Sequence, residues 1–405
     1  MSVLSRRQSI AVFAVFAYAY FFSALIRAIT ATLAPTLVAE LSLNASDLGL
    51  LAGGYFLGFA AMQLPLGNWL DRLGPKRMQL ILLSVAVVGC LAFASADSFY
   101  GLLAARVLTG VGVSACLMAP LTGYRRWFEH GQQLRANSWM LMAGAFGMVA
   151  STLPVQWLVP VLGWRPLFLG LAILVAIAVV LIAWQVPGWG QSERKEAQPE
   201  SGGYAEVWAS PYFRKMAPLG FFNYGGLVAV QTLWAAPWMV KVAGYSPLEA
   251  ATGLFWINVA MLVSYLLWGW ANPWLERRGL KAERLIAWGT PLSFILLAIL
   301  IGAGHAISTG AAAVLTLYCV SCTVVALAQP AVGMAFPAEL AGRALSAFNL
   351  MIFSGIFVVQ WGVGLLIDAL RATGWAEVAA YQGALGIFGL CCIAAYLHFL
   401  RAKTP

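Results

Sequence analysis

The chain has 405 residues, of which 61% are hydrophobic and 10% charged, and a formal net charge of +9. A soluble domain carries about 25% charged residues. That deficit, with a mean hydropathy of +0.82, excludes an ordinary soluble enzyme, a disordered tail and a nucleic-acid-binding domain. The composition is that of an all-α polytopic membrane protein. A span needs about 20 mostly apolar residues, and polar breaks divide the chain into twelve such runs. They lie at roughly 10–38, 46–69, 77–96, 99–123, 135–160, 164–187, 212–240, 248–274, 283–304, 308–336, 344–369 and 375–400.

The first run follows Arg6 and Arg7. It is too long for a signal peptide and has no small-residue cleavage site, so it reads as an uncleaved span. It contains Arg27, with Pro35 eight residues later. The second run ends in Gly67-Asn68-Trp69-Leu70-Asp71-Arg72-Leu73-Gly74-Pro75-Lys76-Arg77. The fourth carries Arg106, Gly110 and Gly112, and the fifth has Pro154 directly after Leu153. After the sixth, residues 188–211 are charged and rich in Gly, Pro and Ser, which predicts a solvated linker between an N-terminal bundle, 1–187, and a C-terminal bundle, 212–405.

The seventh run holds Asn223, Tyr224, Gln231, Thr232 and Trp234. The eighth is followed by Asn272-Pro273-Trp274-Leu275-Glu276-Arg277-Arg278-Gly279, so that acid, Arg, any residue and Gly recur 205 positions after Asp71. Runs one and seven also align, from Ala24 to Pro35 against Gly226 to Pro237. A duplicated six-plus-six plan places a substrate site between the halves near the midplane. The tenth run offers Thr316, Tyr318, Ser321 and Gln329, and the eleventh Asn349 and Gln360. These neutral groups suit the uncharged part of a substrate, or hydrogen bonds between helices. Cys319 and Cys322 read as small apolar residues rather than a metal path.

With the N-terminus inside, nineteen Lys and Arg fall in inner segments and three in outer ones. By the positive-inside rule both termini are cytoplasmic, which suits a plasma or bacterial inner membrane. All fifteen acids fall in loops or at helix ends. Only Arg27 and Arg106 are charged at depth, and an intramembrane charge points to function. Arg27 lies ten residues, about 15 Å, below the outer end of its span, and Arg106 eight residues, about 12 Å, below the same side. Neither has a carboxylate at its depth. The natural partner is therefore an anion from outside the protein, gripped by the planar guanidinium fork.

The whole chain resembles the major facilitator superfamily of secondary transporters. Gly67, Asp71, Arg72, Gly74, Lys76 and Arg77 match the family signature G-x-x-x-D-R-x-G-x-K/R-K/R, with Pro75 where a basic residue is usual. Arg106, Gly110 and Gly112 resemble a second signature. The resemblance implies twelve transmembrane helices in two pseudo-symmetric six-helix bundles, with helices 1, 4 and 7 lining a central cavity. It also implies that the loop after helix 2 is a conformational latch, whose Asp sits against the end of helix 11, with Glu276 and Arg277 as its counterpart in the second half. The Arg27 segment is similar to the first helix of organic-anion and organophosphate carriers of this superfamily, where an Arg eight residues before a Pro binds the anion. Those organophosphate carriers use a second Arg in helix 7, where this chain has Ala229. That favours a less charged anion, a monocarboxylate or an amino acid.

The expectation is a transporter that moves a small organic anion by alternating access, as uptake, with Arg27, Arg106, Asn223, Tyr224, Gln231 and Tyr318 at the substrate. It is not expected to be an enzyme, to need a cofactor or metal, or to bind nucleic acid. Its partners would be the anion, membrane lipid and a coupling proton, and a monomer is expected. The alternative is a drug or metabolite exporter. Two features count against it: there is no acid in helix 1 or 4 to handle protons, and no Gly-Pro pair in helix 5.

Overall fold

The computed structural model describes residues 4–189 and 203–402. Among the described residues, nine helices are each long and apolar enough to cross a membrane, and two further candidate spans are pairs of helices bent at a short break. In chain order the spans are α1 (Arg6–Leu41), α2 (Ala45–Ala61 with Gln63–Leu70), α3 (Arg72–Ser95), α4 (Phe99–Trp127), α5 (His130–Ala150 with Leu153–Leu162) and α6 (Trp164–Gln185). After residues 211–241, which form α7, come α8 (Pro247–Arg277), α9 (Ala282–Ala303), α10 (Ala311–Met334), α11 (Ala338–Ala372) and α12 (Glu377–Arg401). Among the described residues, these eleven spans and the broken α7 make up the twelve helices expected of the fold, with longer helices. The 36 residues of α1 extend about 54 Å at 1.5 Å per residue, well beyond a hydrocarbon core of about 30 Å.

The two bends have local causes. Pro65 lies just past the 41° break in α2, and a proline there has no N–H to bond back to the preceding turn. The 43° break in α5 is followed by Pro154 at the start of the second piece. At that break the hydroxyls of Ser151 and Thr152 fold back onto the carbonyls of Met148 and Val149, both at 2.6 Å. In α7 the α-helical pieces Pro211–Pro218, Gly225–Ala229 and Ala235–Lys241 alternate with two π-turns, Leu219–Tyr224 and Val230–Trp234. π-Turns concentrate at functional sites, and these two carry Asn223, Tyr224, Gln231, Thr232 and Trp234.

Of the predicted linker 188–211, residues 190–202 lie outside the described residues. Its end is helical (Tyr204–Ala209) rather than loop. Val207 is buried there, and Ser210 caps the start of α7 by accepting from the Phe213 N–H at 3.5 Å.

The described residues group into two compact units: 4–29 with 54–189, and 30–53 with 203–402. In the first, α3 packs against both α4 and α6, and Phe93 stacks near Phe168 with ring centroids 4.2 Å apart. The turn from α2 to α3 depends on Gly74, whose φ of +76° disfavours any side chain. A Cβ there would also lie 2.3 Å from the Trp189 ring. Pro75 then opens the helical run that follows the break at Gly74, where its missing N–H costs little. This explains a proline in the place of a basic residue.

In the second unit the start of α2 lies directly on α11. Cβ atoms at Gly49 and Gly364 would each come within 2.3 Å of a backbone oxygen, of Gln360 and Ala45 respectively. The α2 N-terminus is capped twice. The Asn44 side chain accepts from Asp47 N–H at 2.7 Å, and Asp368 of α11 accepts from the N–H groups of Ala45 and Ser46 at 3.1 and 2.7 Å. At α8, Ser246 and Glu249 form a capping box.

Asp368→Asn keeps the shape but can accept with only one oxygen and loses the charge. For a half-buried group, about 1 kcal/mol of stability should be lost. That loss should appear as a lower melting temperature in detergent, and a variant melting with the parent would contradict the assignment.

Candidate binding site

The first unit gathers both intramembrane arginines around one tyrosine. Tyr55 of α2 is fully buried. The Arg106 guanidinium lies over its ring, 5.1 Å from the centroid, while its hydroxyl stands beside Arg27 and donates to the Ser23 carbonyl at 3.4 Å. Tyr20 places a second hydroxyl beside Arg27, and the Phe59 ring lies 5.9 Å from the Arg27 guanidinium carbon. Arg106 is 0% exposed and spends one N–H on the Ile26 carbonyl at 3.1 Å. That bond fastens α4 to α1 one residue before Arg27.

The hydrogen bonds do not use up the donors. Nε of Arg27 and both Nε and one terminal nitrogen of Arg106 are buried without an acceptor, as is the Ser23 hydroxyl oxygen. The side-chain ion pairs include Arg165–Asp97, Lys215–Glu283 and Lys241–Glu377, and neither Arg27 nor Arg106 has one among the described residues. A buried charge without a counter-charge costs several kcal/mol. Arg106 is such a charge, and with the half-buried Arg27 beside the same tyrosine the unspent donors could take an acceptor carrying negative charge.

In the second unit the neutral groups are largely occupied with one another. Gln231 donates to Asn258 at 2.8 Å, and Asn258 donates to the Leu254 carbonyl at 2.8 Å. Gln360 donates its side-chain amide to Thr232 at 3.0 Å and accepts from the Trp234 indole at its backbone carbonyl, 3.1 Å away. Gln329 donates to Asn349 at 2.7 Å. Tyr224 meets Tyr265, and Tyr318 is buried against Cys322 and Cys392. Asn223 alone of the predicted four has a buried side-chain oxygen without a partner. The Gln231 amide is thus committed to tying α7 to α8.

Of the predicted latch, Gly67 faces open space, Arg72 and Arg77 are exposed and Lys76 is half-buried. The exposed Arg277 follows Glu276. The side chains of Asp71 and Glu276 lie outside the described residues. A cavity of about 510 Å³ in the second unit is bordered by Pro35, Lys241, Asp368, Arg371 and Glu377, and none of the predicted substrate residues lines it.

Tyr20, Ser23 and Tyr55 complete the arginine site but are absent from the sequence expectation. A signal for two of them exists: Ser23 and Tyr20 precede Arg27 by four and seven residues, the spacing of one helical face. Nothing local marks Tyr55, which reaches the site only through the packing of α2 on α1.

Residues 16–360 match the family model described as Major Facilitator Superfamily. The chain is 28% identical over 212 residues to the Inner membrane transport protein YajR of Escherichia coli (strain K12), covering 50% of this chain and 44% of that protein. It is 25% identical over 266 residues to the Gallate transporter of Pseudomonas putida, covering 64% and 56% respectively. The chain thus spans about half the length of these curated relatives. The crystal structure of a D-xylose-proton symporter shares the fold, with a TM-score of 0.78 at 16% identity and 97% of both chains covered.

Proposed function

Because the chain belongs to the Major Facilitator Superfamily, we propose that it is a secondary transporter that takes up a small organic anion by alternating access. The observation that carries this reading is the pair of arginines around Tyr55, whose donors exceed the acceptors around them and which have no carboxylate partner among the described residues. A carboxylate offers the two oxygens a guanidinium fork matches. Similarity to a gallate transporter supports an organic acid as cargo. Ala229, small and fully buried where a second arginine would serve a more highly charged ligand, favours a monocarboxylate or amino acid.

The proposal places both termini on the cytoplasmic side, from the bias of Lys and Arg. It routes any coupling proton on the substrate, since the sequence has no acid at mid-depth. It keeps Asp71 as part of a latch that balances two conformations. Asp71→Asn should then lower transport severalfold while leaving the amount of folded protein in the membrane unchanged. Parent-like transport by this variant would remove the latch.

The test of the substrate class is thermal melting of the purified chain with a panel of small carboxylates and their neutral amides. A ligand at 100 times its Kd stabilises by about 2.7 kcal/mol, enough to move a melting curve. At least one carboxylate should raise the melting temperature where its amide does not. Stabilisation by neutral or cationic compounds alone would overturn the anion reading and favour the exporter.

A further inference from the structure

A second basic site lies away from the arginine pair, in the same unit. A groove of about 240 Å³ opens between the start of α1 and the start of α5. Its polar border is Arg6, Gln132 and Arg135, and its apolar border Ile10, Phe13 and Trp139. Arg6 and Arg135 are exposed and have no ion-pair partner among the described residues. The nearby acid, Glu129, accepts from Gln132 at 3.3 Å. Ile10 and Trp139 are 58% and 55% exposed, so the apolar wall faces outward.

We propose that this groove binds the headgroup of an anionic phospholipid, with the phosphate between Arg6 and Arg135 and the acyl chains along Ile10 and Trp139. Three observations carry it. Two guanidinium forks converge on one groove, and a phosphate oxygen set is the partner they match. The groove is polar at one end and apolar at the other, the profile of a lipid at the headgroup boundary, where Trp also concentrates. Arg6 is the first residue of α1 and Arg135 lies in the second turn of α5, and basic pockets between helices on the cytoplasmic side attract anionic lipid. A free phosphate ion would use the arginines but leave the exposed Ile10 and Trp139 without a role.

The test uses the purified full chain in micelles doped with phosphatidylglycerol, with phosphatidylcholine of the same acyl chains, or with inorganic phosphate in the buffer. Phosphatidylglycerol should raise the melting temperature of the parent in a saturable way, and the other two should not. In Arg6→Gln with Arg135→Gln, half-saturation should require at least tenfold more phosphatidylglycerol, while melting in phosphatidylcholine stays near the parent's. Should the double variant fail to fold, Arg135→Gln alone must still shift half-saturation severalfold, and native mass spectrometry must show fewer retained phosphatidylglycerol molecules. An unchanged phosphatidylglycerol response in the variants, or an equal response of the parent to inorganic phosphate, would overturn the lipid site.

Discussion

Gly110→Val is expected to abolish recovery of folded protein. A Cβ at Gly110 would sit 1.9 Å from the Tyr55 carbonyl oxygen and 2.8 Å from its carbon. These are backbone atoms of a packed helix and cannot rotate away. Overpacking a close-packed interior costs about 1–3 kcal/mol even where side chains can yield, and here α2 and α4 would have to separate. Small residues at helix crossings serve this close approach in membranes. The same displacement would carry Tyr55 away from Arg27 and Arg106. Size-exclusion chromatography of the detergent-extracted chain measures the outcome, with Gly170→Val as the control, because a Cβ at Gly170 meets nothing within 4 Å. The control should give a monodisperse peak and Gly110→Val aggregate or no protein. Equal peaks would show that the α2–α4 contact is not needed for folding.

Arg27→Ala should weaken binding of the cognate anion tenfold or more. Loss of a hydrogen bond to a charged group costs about 1.5–3 kcal/mol, and about 1.4 kcal/mol is a factor of ten in affinity. Arg27→Lys should recover only part, because an ammonium keeps the charge but not the planar fork. A purely structural arginine would instead show its loss in the melting temperature of the unliganded chain. Arg106 sets the contrast. Its bond to the Ile26 carbonyl ties two helices together, so Arg106→Ala should lower that melting temperature more than Arg27→Ala does. Anion affinity that survives in a normally folded Arg27→Ala chain would remove Arg27 from the site.

The architecture was open to reading because a bilayer leaves few options: each span is a long apolar run, and polar breaks mark its ends. The polar stretch around 204–209 misled for the opposite reason, since a short amphipathic helix on the surface looks like a loop by composition. The π-turns of α7 were hidden because no residue type or spacing marks them in a sequence. At the site, Arg27 and Arg106 stood out as charges in apolar sequence. The pairing of Gln231 with Asn258 and of Gln360 with Thr232 was invisible, because their partners lie on other helices. Tyr55 looked like one aromatic among many until the fold set it between two guanidinium groups.

A thermodynamic cycle on the purified chain tests most directly whether Arg27 holds the anion. It needs the affinities of one carboxylate and its amide, each for the parent and for Arg27→Ala, by calorimetry. Coupling between two groups in contact shows as a failure of their effects to add. The expected result is a parent that prefers the acid at least tenfold and a variant that binds acid and amide alike. A variant that keeps the parent's full preference for the acid would contradict the account, since the carboxylate would then be held elsewhere.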